Sequence, residues 1–393
     1  MPARNAVVFG AGRIARGFVG NLLGLESIGI TFVDVSPTAV AALNAAGRYT
    51  VHILGAPEKS SVVANVSAIM TNSDELSGKL VEADVVFVSV GGANLPSVGV
   101  TIARAIETRL ESGHPLNIVV CENWRSAGQV LRSSIESELS ALGLDLPHGM
   151  LGISESTIMR SAVDATEAQL AADPLAVQSQ NYWSLPIDAD ALVDGFPEIR
   201  YVEPVPAFQH ALERKLYTYN SGNATISFLG VLKGYELLSE AANDPEIESI
   251  VSGVYAEMGE AMVALHGYTV EDQAEYAAKS LRKFQDTAII DPLSRQVRDP
   301  LRKLSRHDRL VGAAMYALDA GVQPNNIAIG IAAALRYRDP SDPSAMRMAE
   351  LIDTLGAGAA LAEIGGIDAA SPLIDLVESK AAVVDALSVE ARP

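Results

Sequence analysis

Cysteine is almost absent from this chain. The 393 residues hold one, Cys121, which excludes an internal disulfide framework and leads us to expect a reducing, cytoplasmic compartment. Positive charge is also scarce: 29 Lys and Arg stand against 48 Asp and Glu, a net charge of −19. That balance argues against nucleic acid and anionic membranes as partners, and it makes any local basic cluster more informative. The longest apolar stretch, Leu310 to Leu335, is interrupted by Asp319, Pro324 and two Asn residues, so it reads as two buried helices and not as a membrane span. No His, Cys and acid cluster has metal-ligand spacing, and no metal is expected. We find no repeat or low-complexity tract. The first strand begins within a few residues of Met1, so no signal peptide is expected ahead of it.

What is present begins at once. Asn5–Phe9 is a short apolar run of strand type, followed by Gly10-Ala11-Gly12-Arg13-Ile14-Ala15 and a helical pattern carrying Phe18, Leu22 and Leu23. A second apolar run, Ile28 to Val33, ends in Asp34. Strand, Gly-x-Gly-x-x-Ala, helix, strand and acid is the dinucleotide-binding order. Gly10 permits the turn, Gly12 lets backbone approach a pyrophosphate, Ala15 allows close helix–strand packing, and the helix N-terminus attracts phosphate. Arg13 and Ile14 sit at that N-terminus. Asp34 can accept from a ribose 2′-hydroxyl and repels a 2′-phosphate, which favours NAD over NADP, although Ser36 could tolerate a phosphate.

The length suggests two domains. Strand candidates at Tyr49–Leu54, Ser61–Ser67, Asp84–Val90, Asn117–Cys121 and Met150–Ile153 alternate with helical patterns at Asn94–Glu111 and Arg125–Leu142. This predicts an α/β fold with a doubly wound parallel sheet. A connector to about Pro206 carries possible strands at Tyr182–Leu185 and Ile199–Val202. Helices then follow at Ala207–Tyr219, Ala224–Ala241, Glu246–His266, Val270–Phe284, Arg302–Ala320, Asn326–Leu335 and Ala345–Leu355. We therefore expect a Rossmann-type domain with connector over 1–205 and a helical substrate domain over 206–393, with the active site between them.

Oxidising an alcohol needs a base for the hydroxyl proton and donors for the oxyanion. The best candidate segment runs from Lys215 to Ala224. On an α-helix Lys215, Asn220 and Asn223 fall within a sector of roughly 140°. A desolvated lysine can act as a base near neutrality, the Asn amides can donate to a carbonyl or alkoxide, and Gly222 would allow close backbone approach. An exposed Lys beside two helix-end Asn residues fits the spacing equally well.

The segment resembles the Lys-x-x-x-x-Asn-x-x-His signature of the polyol-specific long-chain dehydrogenases, and the chain is most similar to the mannitol-1-phosphate 5-dehydrogenases within that family. Three further stretches carry the resemblance: Phe9 to Gly20, Cys121-Glu122-Asn123, and Arg298-Asp299-Pro300-Leu301-Arg302-Lys303-Leu304. It covers Ala6 to about Arg336. The resemblance implies NAD-dependent interconversion of a sugar alcohol and its ketose, such as mannitol 1-phosphate and fructose 6-phosphate, without a metal. It assigns Lys215 as general acid/base and Asn220 as oxyanion donor. One position departs: Asn223 stands where the family has histidine, and Asn can donate a hydrogen bond but cannot titrate. That departure keeps a weakened or non-catalytic NAD-binding homologue in view.

Arg298, Arg302, Lys303, Arg306, His307 and Arg309 form the densest basic cluster. Arg302 and Lys303 are candidates for an anionic substrate group, phosphate or the carboxylate of a hexonate, against the alternative of a solvated helix face neutralised by Asp299 and Asp308. Cys121 reads as a buried small hydrophobe and not as a nucleophile. Asn123 is a candidate cofactor contact at a strand's carboxyl end, and Glu122 beside it could contact ligand or cap a loop. Tyr217 and Tyr219 read as core or rim, Trp124 and Trp183 as packing. Of the six histidines, His210 lies just upstream of the lysine motif and could compensate for the family histidine, against the alternative, which we favour, of a satisfied or exposed histidine.

Overall fold

The computed structural model describes residues 4–124 and 126–388. The chain divides into two compact units, Met1–Gln209 and His210–Pro393.

Among its described residues the first unit holds twelve strands: β1 (Asn5–Phe9), β2 (Gly29–Asp34), β3 (Tyr49–Leu54), β4 (Ser61–Val63), β5 (Val66–Met70), β6 (Val85–Val88), β7 (Leu116–Val120), β8 (Leu151–Glu155), β9 (Ala162–Asp164), β10 (Val177–Gln180), β11 (Leu185–Asp188) and β12 (Val202–Val205). Six form a sheet of order β5-β2-β1-β6-β7-β8. Every pairing in it is parallel, with Val8 opposite Phe32 on one side and Phe87 on the other. β6 and β7 are buried along their whole length. That double burial explains their continuous Val and Ile composition, because helices cover both faces of a parallel sheet. One face packs Ala6, Val8, Phe32, Phe87 and Val119, the other Val7, Phe9, Val33, Val86 and Ile118. The strand order reverses between β1 and β6, and their carboxyl ends carry Gly10 and Ser89.

Two strand expectations are corrected. Tyr49–Leu54 is a strand, but it lies in a separate four-stranded sheet of order β4-β3-β10-β9. Ser61–Ser67 is not one strand. Asn65, at φ 56°, turns the chain in the left-handed region, so β4 joins the small sheet and β5 the large one. The connector strands fall a few residues beyond the expected ones, as the parallel pair β11 and β12. The 94–111 pattern breaks at Ile106 into helices Leu95–Ala105 and Glu107–Glu111. The next helix covers Ala127–Leu142, and Arg125, its expected first residue, lies outside the described residues.

The second unit is helical. Its centre is the helix Asn220–Leu232, in which Ser221 to Gly230 are all buried. A helix buried all round needs partners on every side. Asn325–Arg336, Pro245–His266 and Leu238–Ala242 supply them. The longest helix starts with Asp244 accepting from the Glu246 and Ile247 N–H groups and Pro245 at its first position, and it ends at left-handed Gly267. The apolar 310–335 stretch forms two helices, Val311–Asp319 and Asn325–Arg336. The expected Arg302–Ala320 helix is instead a short turn, Pro300–Lys303, then a break, then Val311–Asp319. Expected Ala224–Ala241 likewise breaks after Leu232, at left-handed Gly234. Helices at Ala357–Gly365, Pro372–Ser379 and Ala381–Leu387 were not expected from the sequence. No helix among the described residues is long and apolar enough to cross a membrane.

Candidate active site

The glycine turn is built as a nucleotide cradle. Gly10 has φ 91°, and its N–H donates to the Val33 carbonyl at 2.8 Å. A Cβ there would lie 2.2 Å from the Ser89 carbonyl oxygen, so no other residue fits between the ends of β1 and β6. Gly12 is exposed, and a Cβ on it would meet nothing within 4 Å. That space is open to a ligand. Ala15, on the helix that follows, is fully buried. The helix has π geometry over Ala15–Gly20 before it becomes regular at Asn21–Leu25.

Asp34 is fixed from two sides. Its Oδ2 accepts from the Ala11 N–H at 2.7 Å and its Oδ1 from the Ser36 N–H at 2.8 Å. The Ser36 hydroxyl accepts from the Ala39 N–H and caps the helix Pro37–Ala46. Ser36 is therefore occupied as a cap. Arg13 is exposed and pairs with Asp164 at 2.8 Å. Ile14 is half-buried against the unit's core. Asn123 is exposed beyond the end of β7.

Two residues around this cradle have clearer roles than the sequence indicated. Glu122 accepts from the Val90 and Gly91 N–H groups, each at 2.6 Å, so it clamps the loop after β6; its carboxyl is pushed up by burial. Arg16 was not singled out by the motif. Its Nε donates to the Ala11 carbonyl at 2.9 Å and its Nη1 to the Leu175 carbonyl, which straps the turn to the chain before β10. Cys121 is buried and its thiol is pushed up to about 12 by burial, which keeps it protonated.

In the second unit the lysine segment is not a plain α-helix. Phe208–Arg214 is followed by a π segment, Lys215–Tyr219, and then by Asn220–Leu232. The Asn220 N–H donates to the Lys215 carbonyl, an i→i+5 bond. Lys215 and Asn220 are thus about one turn apart, not the roughly 1.4 turns an α-helix would give. The roughly 140° sector expected from α-helical spacing is corrected: Lys215, Asn220 and Asn223 share a narrower face. Lys215 is half-buried, and its amine is pushed down to about 7 by burial, then by Lys283 and Arg309. Asn223 is buried, 7% exposed, and its carbonyl accepts from Ser227 Oγ at 2.7 Å. Gly222 serves packing: a Cβ there would lie 2.5 Å from the Tyr255 hydroxyl. Tyr217 stacks near Tyr316 at 5.0 Å and Tyr219 near Phe284 at 4.6 Å, as core and rim residues. His210 stacks on His266 at 3.8 Å, and His266 Nε2 lies 2.6 Å from Glu213.

The basic cluster separates into paired and unpaired charges. Arg302 is exposed and held by Asp299 and Asp308, both at 2.9 Å. Arg309 lies on Asp308 at 2.7 Å. Lys303 is 4% exposed, and no ion pair to it is found among the described residues. Its amine is pushed down to about 8 by burial, then by Arg309 and Arg302. Among the described residues no group of three or more His, Cys, Asp or Glu could hold a metal ion.

The first unit carries the glycine turn and fixed acid of a dinucleotide-binding domain, and the second unit, by itself, carries Lys215, Asn220 and Asn223 on one stretch of helix. Residues 4–201 match the mannitol dehydrogenase Rossmann domain and residues 208–376 the mannitol dehydrogenase C-terminal domain, so the chain belongs to the mannitol dehydrogenase family. It is similar in fold to a D-sorbitol dehydrogenase in substrate-free form, with a TM-score of 0.77 at 17% identity over 98% of this chain and 93% of that one. It is also similar to the Pseudomonas fluorescens mannitol 2-dehydrogenase ternary complex with NAD and D-mannitol, with a TM-score of 0.71 at 17% identity over 99% of this chain and 93% of that one.

Proposed function

We propose that this protein is an NAD-dependent oxidoreductase that interconverts a sugar alcohol and its ketose by hydride transfer. The observation that carries the reading is the Lys215 amine, at about 7, on one helical face with two Asn amides. The first unit's cradle fits NAD: Gly12 opens onto free space, Gly10 tightens the turn, Arg13 and Ile14 start the helix, Asp34 presents a fixed carboxylate to a ribose diol, and Asn123 lies beyond a strand's carboxyl end. When bound, NAD supplies the hydride acceptor.

The remaining work belongs to side chains. Lys215 Nζ, in its neutral form, takes the hydroxyl proton as the carbon is oxidised, and in the reverse direction it returns that proton to the carbonyl oxygen. Asn220 and Asn223 donate through Nδ2 to the oxygen as it gains negative charge. Because Asn223 cannot titrate, the proton balance rests on Lys215.

For the substrate, Lys303 supports a phosphorylated polyol such as mannitol 1-phosphate: a buried cation with no ion pair among the described residues is suited to an anion. The pairing of Arg302 with Asp299 and Asp308 favours an unphosphorylated polyol. Turnover of mannitol 1-phosphate, mannitol and altronate by the purified protein separates these readings, and turnover of none identifies a non-catalytic homologue. Lys215→Ala tests the mechanism. It is expected to abolish turnover while leaving NAD affinity within a few-fold, and unchanged turnover overturns the assignment.

A further inference from the structure

The loop after β6 is gripped twice by the residues that follow β7. Glu122 accepts from the Val90 and Gly91 N–H groups, each at 2.6 Å. Two residues on, the Trp124 ring lies against Gly92: a Cβ added there would stand 2.2–2.4 Å from three of its ring carbons. Gly92 is buried, whereas Trp124 stays 51% exposed. A tryptophan placed for core packing buries most of its large ring. This one covers a loop and leaves the rest of its ring in solvent. Within the loop, Asn94 Nδ2 donates to the Val90 carbonyl at 2.8 Å. Gly91 stands at φ 87°, and Gly92 opens the short turn Gly92–Asn94 that leads into the helix Leu95–Ala105. Two successive glycines leave a backbone unusually free, so side chains from the next loop are needed to fix it.

The place of this loop in the sheet gives it a task. It borders the glycine turn: a Cβ on Gly10 would lie 2.2 Å from the Ser89 carbonyl oxygen and 3.3 Å from Val90 Cγ1. The strand order reverses between β1 and β6, and a dinucleotide crosses the sheet at such a point. Asp34 at the end of β2 suits the adenosine ribose, and the glycine turn suits the diphosphate. The nicotinamide half then runs over the carboxyl ends of β6 and β7, along the 90–94 loop. We propose that Trp124 is a positioning residue for the nicotinamide half of NAD, its ring fixing through Gly92 the loop against which that half lies. Gly92 is the second part of the device, because any side chain there would push the ring away. The inference rests on the reading of the first unit as the NAD cradle.

The test compares the full-length wild type with Trp124→Ala, Trp124→Phe, Gly92→Ala and the double variant of Trp124→Ala with Gly92→Ala. Calorimetric titration gives the dissociation constants of NAD and of ADP, which carries the adenosine half without the nicotinamide ribose. Trp124→Ala is expected to weaken NAD about tenfold and to leave ADP within about twofold, because only one half of the dinucleotide meets the loop. Trp124→Phe keeps a ring over Gly92 and is expected to restore most of the NAD affinity. Gly92→Ala is expected to weaken NAD as Trp124→Ala does, and to add nothing once the ring is gone, a non-additivity that identifies the contact. Unchanged NAD affinity in Trp124→Ala, an equal loss for ADP, or a full additional loss in the double variant overturns the proposal. The same variants are melted in urea without ligand. A wild type that binds no NAD overturns the cofactor reading and the nicotinamide role with it. The melts still decide the contact: it stands if the cost of Gly92→Ala vanishes in the Trp124→Ala background and falls if that cost persists.

Discussion

At the scale of single residues, the informative feature is cost. Lys215 and Lys303 place amines where burial opposes their charge, at about 7 and about 8. For Lys215 this sets the direction of a pH profile. The base must be neutral, so alcohol oxidation is expected to rise with pH through about 7, while ketose reduction, which needs the protonated amine, falls over the same range. Steady-state rates in both directions check this. Lys303 has a consequence for stability. Its folded value lies below the ordinary lysine value of 10.5, so the unfolded chain holds the proton more firmly between about 8 and 10.5. The burden on the fold is full below about 8 and fades as pH rises through that window. Lys303→Met is therefore expected to stabilise the fold by about 1–3 kcal/mol at pH 6 and by less at pH 10, read as a larger rise in melting temperature at the lower pH. If Lys303 binds an anion, the same change raises KM for a phosphorylated substrate; a variant equally stable at both pH values contradicts the account.

At the scale of elements, close approach decides what can be changed. Gly10→Ala would set a methyl 2.2 Å from the Ser89 carbonyl oxygen in a left-handed conformation. It is expected to weaken NAD binding at least about tenfold by displacing the turn, measurable by fluorescence titration. Gly222→Ala meets the Tyr255 ring as well as its hydroxyl, at 2.5–2.7 Å. A loss of about 1–3 kcal/mol in a chemical melt is expected, without rescue by Tyr255→Phe, because ring carbons clash too.

The same scale shows what the sequence could reveal. The first strand, the glycine turn and Asp34 were legible because each is a local pattern with a steric cause. The long helices 245–266 and 270–285 were legible because caps mark their ends: Asp244 and Thr269 accept first-turn N–H groups. The π segment was not, since a 3.6-residue period contains no term for an inserted residue, and only the i→i+5 bond at Asn220 reveals it. The division of Ser61–Ser67 was hidden because its apolar run continues through Asn65, the residue that turns the chain into a different sheet. Lys303 and Arg302 are neighbours in sequence and equal in charge. The acids that match Arg302, Asp299 and Asp308, lie three and six residues away, but the burial of Lys303 comes from packing that the local sequence does not show.

At the scale of the whole molecule, each unit has its own core, and the single thiol lies in the first. Cys121 is 2% exposed with its thiol at about 12, so native protein is expected to resist iodoacetamide at pH 8 and to react once urea opens the first unit. Labelling followed against urea, beside far-ultraviolet circular dichroism dominated by the helical unit, would report whether the two cores melt together. Coincident curves indicate one cooperative transition, and separated curves indicate two.

The double anchoring of Asp34 bears on redesign. The carboxylate proposed to address the ribose also ties the Ala11 and Ser36 amides together. An engineer who swaps it for a neutral or basic side chain, hoping to recruit a 2′-phosphorylated coenzyme, also unfastens the turn after β1 from the turn after β2. Such a variant is best paired with a second substitution that re-ties those amides, because the side chain proposed to set coenzyme choice is also the fastener of the turn.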